Sequence, residues 1–196
     1  MNIRWPTRSA LQKSRTFPPG CACALPRADT GGIDMNIQAD GLRRRGLELK
    51  IPPPLVALLV AGAMWALAQF TFQVEPTGSL RHAVAGVLFL TGILFTVSAM
   101  LTFRRSKTTV NPLKPEAATA LVSGGPFRVS RNPMYLGLLL VLVGWSVSLG
   151  APWSLAGPVA FVFYIQRFQI IPEERVMALK FGVAYAQYCA GVRRWL

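Results

Sequence analysis

Arg131-Asn132-Pro133-Met134-Tyr135-Leu136-Gly137 opens a long apolar segment, Gly150-Ala151-Pro152 interrupts it once, and Glu173-Glu174 closes its second half, with no acidic residue in between. A glycine followed closely by proline marks a tight turn. The two halves therefore read as an antiparallel helical hairpin that returns to the side it left. The arginine motif and the glutamate pair are expected to meet at one membrane face, where charge is expensive and usually functional. Two adjacent carboxylates, a guanidinium and a phenol suit a small zwitterionic ligand better than a helix cap.

Outward from that hairpin, composition sets the class. Of 196 residues, 52% are hydrophobic and only 15% charged, and several apolar runs are long enough to span a bilayer. That is the make-up of an all-α integral membrane protein. A net charge of +13 invites comparison with nucleic-acid binders. The basic residues, however, flank the apolar segments instead of forming a face of their own, so positive-inside anchoring accounts for them and no nucleic-acid partner is expected. Cys21, Cys23 and Cys189 give an odd number and no disulfide framework. With His82 the lone histidine and no Asp after Asp40, neither a transition-metal site nor a Ser-His-Asp triad is expected.

Residues 1–34 are rich in Pro, Arg, Ser and Thr, lack an apolar run, and are expected to be a disordered tail or an over-extended start. Residues 35–196 form one membrane domain. It begins with Arg43-Arg44-Arg45 and Lys50, followed by Pro52-Pro53-Pro54, which fits only at or before a helix start. Four spans are predicted, over about 55–72, 82–103, 133–149 and 153–171, with Pro158 a candidate kink. Between the second and third spans lies a basic loop holding Arg104, Arg105, Lys107, Lys114 and Arg128, punctuated by proline and glycine. The turns near Glu75 and Gly150 are almost uncharged. This asymmetry puts both termini and the basic loop in the cytoplasm.

After Pro172 the period changes. Met177, Phe181, Tyr185, Tyr188, Val192 and Trp195 recur three and four residues apart, predicting an amphipathic helix over about 173–194. Read simply as a surface helix, it would rest its aromatics in the headgroup region and touch anionic lipid with Arg175, Lys180, Arg193 and Arg194. Glu173 and Glu174 then occupy first-turn positions favoured by the helix dipole, worth about 0.3–1 kcal/mol. One glutamate would meet that need. Two, facing Arg131 and Tyr135, point to a site. Asn132 can both donate and accept, and Gly137 permits close approach of another backbone or a ligand. Ser123-Gly124-Gly125-Pro126 lacks the spacing of a P-loop or dinucleotide fingerprint.

Leu121-Val122-Ser123-Gly124-Gly125-Pro126-Phe127-Arg128, the Arg131 to Gly137 motif, Glu173-Glu174, and Phe181-Gly182 with Tyr185 and Tyr188 together resemble the C-terminal half of the isoprenylcysteine carboxyl methyltransferase family and its phospholipid methyltransferase relatives. The resemblance covers roughly residues 50–196. It implies an S-adenosylmethionine pocket built from the arginine motif and the glutamate pair, closed by the C-terminal helix, with a lipophilic acceptor entering from the bilayer. Cofactor contacts are implied for Arg131, Asn132, Pro133, Tyr135, Gly137, Glu173 and Glu174, and further for Phe181, Tyr185 and Tyr188. Arg131, Tyr135 and Glu174 are the candidates for a direct part in the reaction. The eukaryotic enzymes carry His where this chain has Asn132. The expected setting is a bacterial inner membrane.

Methyl transfer from a sulfonium is an in-line displacement in which positive charge is lost, so positioning supplies most of the acceleration and neither metal nor histidine is required. A glutamate can hold the cofactor's ammonium or ribose hydroxyls, an arginine its carboxylate, and aromatics its adenine. A thiol or carboxylate acceptor needs little base catalysis, whereas an amine must lose a proton to Glu or Tyr. Two other classes share part of the pattern. A nicotinamide-dependent reductase of the steroid-reductase type has a similar arginine, proline, tyrosine and terminal-helix layout, but with an Arg-His-Pro-Asn-Tyr pattern and a following acid that is missing after Gly137. The other is a non-enzymatic membrane subunit. Arg167, the one charge inside a span, reads as snorkelling to the interface or as a contact for a substrate carboxylate.

Overall fold

The computed structural model describes residues 51–72, 78–105 and 121–196. The expected tail 1–34, the basic stretch at 43–45, the turn at Glu75 and the middle of the basic loop lie outside the described residues. All regular structure within them is helical.

Helix α1 spans Pro53–Phe70, with proline in its first turn, where a missing N–H costs nothing. Helix α2 spans Gly78–Arg105 and runs further than the apolar stretch alone. Arg104 and Arg105, assigned above to the loop, form its last turn, where cations oppose the negative end of the helix dipole. Helix α3 spans Pro133–Leu149 and stops at Gly150, whose φ of 66° is the left-handed conformation glycine adopts without strain. A 3₁₀ turn over Pro152–Leu155 leads into α4, Ala156–Ile165. Pro158 falls in the first turn of α4, where its missing N–H disturbs nothing.

The structure corrects one boundary. A break was expected at Pro172, between a fourth span and a separate amphipathic helix. Instead a π-helical turn, Gln166–Ile170, joins α4 to α5, Ile171–Gly191, and the chain stays helical through Pro172. Proline removes one i→i−4 bond and crowds the carbonyl four residues back; the wider π turn just before it relieves both. The real interruption is Gly182, at φ 48°, ψ −120°, inside α5. The chain leaves the helix at Val192, which is extended.

Pro53–Phe70, Gly78–Arg105 and the joined helix from Pro152 to Gly191 are each long and apolar enough to cross a membrane, with mean hydropathies of 1.6, 2.2 and 1.2. Helix α3 is shorter and equally apolar. Their outward residues are large hydrophobics, Phe70 and Phe163 among them, 88% and 72% exposed, as a lipid-facing surface requires. The closest helix pair is α2 with α3. A Cβ added at Gly137 would lie 2.6 Å from the Gly92 carbonyl oxygen, so the two backbones touch. Trp145 donates its indole N–H to Ala61 O at 3.1 Å, tying α3 to α1. Two buried clusters result. One joins Val56, Met64, Tyr135, Leu142, Phe161, Ile165 and Ile170. The other joins Ala99, Phe127, Tyr185, Tyr188 and Cys189 at the end where α3 begins.

Candidate functional site

The approach to α3 is shaped by Gly125, at φ 59°, which allows the 3₁₀ turn Gly125–Arg128. Phe127 is buried edge-on against Phe103, ring centroids 4.9 Å apart, and its carbonyl accepts the Tyr188 hydroxyl at 2.7 Å. Helix α5 is thus pinned beside the start of α3. Asn132 is the N-cap but makes no side-chain cap bond, and Pro133, fully buried, takes the first helical position.

At this junction the hairpin closes as its turn requires. Arg131 Nη1 lies 3.3 Å from Glu174 Oε1, both side chains about nine-tenths buried, and also donates to Cys189 Sγ at 2.7 Å. Glu173, one residue earlier on α5, points about 100° away around the helix and accepts a hydrogen bond from the Tyr135 hydroxyl. The two glutamates therefore address different partners, one on α3 and one at its entrance. Burial, the largest single influence, lowers the pKa of the Arg131 guanidinium, but the facing Glu174 carboxylate together with Cys189 and Tyr185 outweighs it and the net shift is upward, keeping the arginine charged. The Nε of Arg131 is buried and makes no hydrogen bond.

Sequence reasoning missed one member of this cluster. Arg194, read above as touching lipid, grips Glu174 with two parallel bonds, Nε to Oε1 at 3.0 Å and Nη2 to Oε2 at 2.6 Å. This fork geometry is specific to arginine. Ser130 and Asn132 both donate to the Arg194 carbonyl, at 3.3 and 3.1 Å. The side chain at the Asn132 position, where the resemblance marks a departure, tethers the C-terminal tail. No local pattern announces these contacts, since the partners lie 20 to 64 residues apart.

The other predicted residues divide. Phe181, Tyr185 and Tyr188 belong to the buried cluster around Phe127 and Cys189, with the Tyr185 and Tyr188 rings 6.3 Å apart. The Tyr188 hydroxyl is engaged by Phe127, which makes it a structural tie. Gly137 stands apart from the carboxylates, because its open face is filled by Gly92 and Thr96 of α2. Of the two approaches expected for Gly137, the structure uses the backbone one. Arg167 is exposed, its guanidinium 5.7 Å from the Phe168 ring centre, in keeping with an interfacial cation.

Taken together, an all-helical membrane protein gathers two carboxylates, two guanidiniums and a phenol where two of its helices meet. The family model for phospholipid methyltransferase matches residues 80–184, just over half of the chain and inclusive of both the arginine motif and the glutamate pair. The chain belongs to the phospholipid methyltransferase family. It is similar to protein-S-isoprenylcysteine O-methyltransferases A and B of Arabidopsis thaliana, 35% identical over 109 residues and 32% over 108. Each match covers 54% of this chain and 54% or 53% of the plant protein, so the chain spans about half the length of these relatives. An uncharacterized protein of Haemophilus influenzae is 44% identical over 63 residues, 32% of this chain and all of that protein.

Proposed function

We propose that the protein is an integral membrane S-adenosylmethionine-dependent methyltransferase acting on a lipophilic or small acceptor, a carboxylate, thiol or amine, at the cytoplasmic face of a bacterial inner membrane. The observation that carries this reading is the Arg131 side chain: a buried, charged guanidinium held by Glu174 on one side, with its Nε unpartnered. An orphaned buried donor is costly. A ligand carboxylate would satisfy it. The donor set fits the cofactor's zwitterionic end, since between Glu116 and the C-terminus Glu173 and Glu174 are the only acids available for its ammonium or hydroxyls. Phe181, partly buried at the edge of the aromatic cluster that holds Tyr185, supplies flat apolar surface for a purine.

When bound, S-adenosylmethionine supplies an activated methyl group on a sulfonium. The chain's own residues would bind and orient: Arg131 the carboxylate, Glu173 and Glu174 the cationic and hydroxyl groups, the aromatic cluster the base. Tyr135 and Glu173, already sharing a hydrogen bond, would be the pair to accept a proton from an amine acceptor. The reading is tested by isothermal titration of the purified protein with S-adenosylhomocysteine and, separately, with a reduced nicotinamide. Binding of the first and not the second is expected. The reverse result would transfer the site to the reductase class, and binding of neither would leave a non-enzymatic subunit.

A further inference from the structure

Residues 192–196 leave α5 and cross the start of α3. Donors at that start take their carbonyls: the Arg131 N–H bonds Arg193 O at 2.9 Å, and Asn132 and Ser130 bond Arg194 O at 3.1 and 3.3 Å. Trp195 packs against the first buried cluster, and its indole N–H reaches Gln166 Oε1 at 3.5 Å. Residues 192–196 are tied by backbone, by an aromatic anchor and by a bidentate ion pair.

We propose that Arg194 is a positioning residue for the cofactor site and that the tail forms one wall of it. Held by Arg131 alone, Glu174 would have a single contact at 3.3 Å and a free carboxylate plane. The Arg194 fork takes both oxygens, which sets that plane and, through Oε1, the placement of Arg131. Two guanidiniums on one carboxylate leave the trio with one net positive charge. A ligand carboxylate is drawn to such a cluster. The inference rests on the methyltransferase reading above and adds a residue outside the matched region 80–184.

The test uses the full chain in lipid nanodiscs, with titration of S-adenosylhomocysteine and thermal unfolding with and without it. Arg194→Ala is expected to weaken binding by about tenfold, the effect of leaving Glu174 and Arg131 misplaced for a charged hydrogen bond to the ligand. Arg194→Lys should weaken it less, because an ammonium can hold one oxygen but not both. Arg105→Ala should leave affinity unchanged, since Arg105 is an exposed cation in the last turn of α2 that the proposed site does not use. Because Arg194 acts through Glu174, adding Arg194→Ala to Glu174→Gln should cost little more than Glu174→Gln alone. A tail with only a structural role would instead lower the unliganded melting temperature in both backgrounds and make the binding costs additive. If Arg194→Ala yields no folded protein, Arg194→Lys and its pairing with Glu174→Gln make the same comparison. Affinities of the Arg194 variants equal to or tighter than the parent's, or fully additive costs, overturn the proposal. A parent that binds no S-adenosylhomocysteine overturns the methyltransferase reading itself, a result distinct from a parent that binds and an Arg194 variant that does so equally well.

Discussion

Helix α3 is held in two opposite ways, by packing along its length and by charge at its start. Along its length it lies against α2 with almost nothing between the backbones: Gly137 meets Gly92, and further on Gly144 meets Ala85, whose carbonyl oxygen would be 3.1 Å from an added Cβ. At its start it is held by charge, with Arg131, Glu174 and Arg194 interlocked and nine-tenths of Glu174 withdrawn from solvent. Lipid tails offer helices no hydrophobic incentive to associate, so close backbone packing has to supply the stability. At the membrane edge, ions are tolerable only when each has a partner. The packed face is made by two neighbouring helices. The ionic end requires three separate chain segments.

This contrast can be broken most severely at the packed face. Gly137→Val should destabilise by about 3 kcal/mol or more, at the upper end of overpacking costs, because the obstacle is backbone. Thermal unfolding in detergent should show a large loss of midpoint or of monodisperse protein. A variant as stable as the parent would mean the two helices can slide apart cheaply.

At the ionic end the expected effect is smaller and falls on binding instead of folding. Arg131→Ala and Glu174→Gln should each cost about 1.5 to 3 kcal/mol in S-adenosylhomocysteine affinity, about tenfold or more, with insertion and expression near normal. Combined, they should cost less than the sum, since both act on one cluster. Titration of the singles and the double reads this directly, and equal affinity for all three would reduce the glutamates to a helix-start signal. The smallest effect is expected for Tyr135→Phe, which removes one hydrogen bond to Glu173 and should cost about 1 kcal/mol in the same titration. A loss as large as that of Arg131→Ala would shift the weight of the site from Glu174 to Glu173.

The same contrast governs what the sequence discloses. The apolar runs and the Gly150-Ala151-Pro152 turn are local signals, and from them follow the helical class and the meeting of Arg131 with the glutamate pair. Pro172 misled because a proline looks like a break until the helix before it widens, and nothing in Gln166-Arg167-Phe168-Gln169-Ile170 signals a π turn. Gly137 was ambiguous between a ligand and a neighbouring backbone; only the position of Gly92, on another helix, decides. Arg194 was illegible for a related reason. Its partners are Glu174, Asn132 and Ser130, none within a helical turn of it, so the arginine looked like one more interfacial cation in a chain that carries 21 lysines and arginines.

The π turn also acts as a phase element. A ring closed by an i→i+5 bond takes in one residue more than an α turn, and one residue corresponds to about 100° of rotation about the axis. Everything beyond Ile170 is therefore rotated relative to a plain continuation of α4. In an unbroken α-helix of the same length, the azimuth that carries Glu174 toward Arg131 would fall to a neighbouring residue. The arginine-facing direction of the carboxylate is thus a counting property of the 166–170 segment. A length change of one residue within α4, between Ala156 and Ile165, would re-aim both acids at once, while leaving the span's hydropathy, and hence its membership of the membrane, almost untouched.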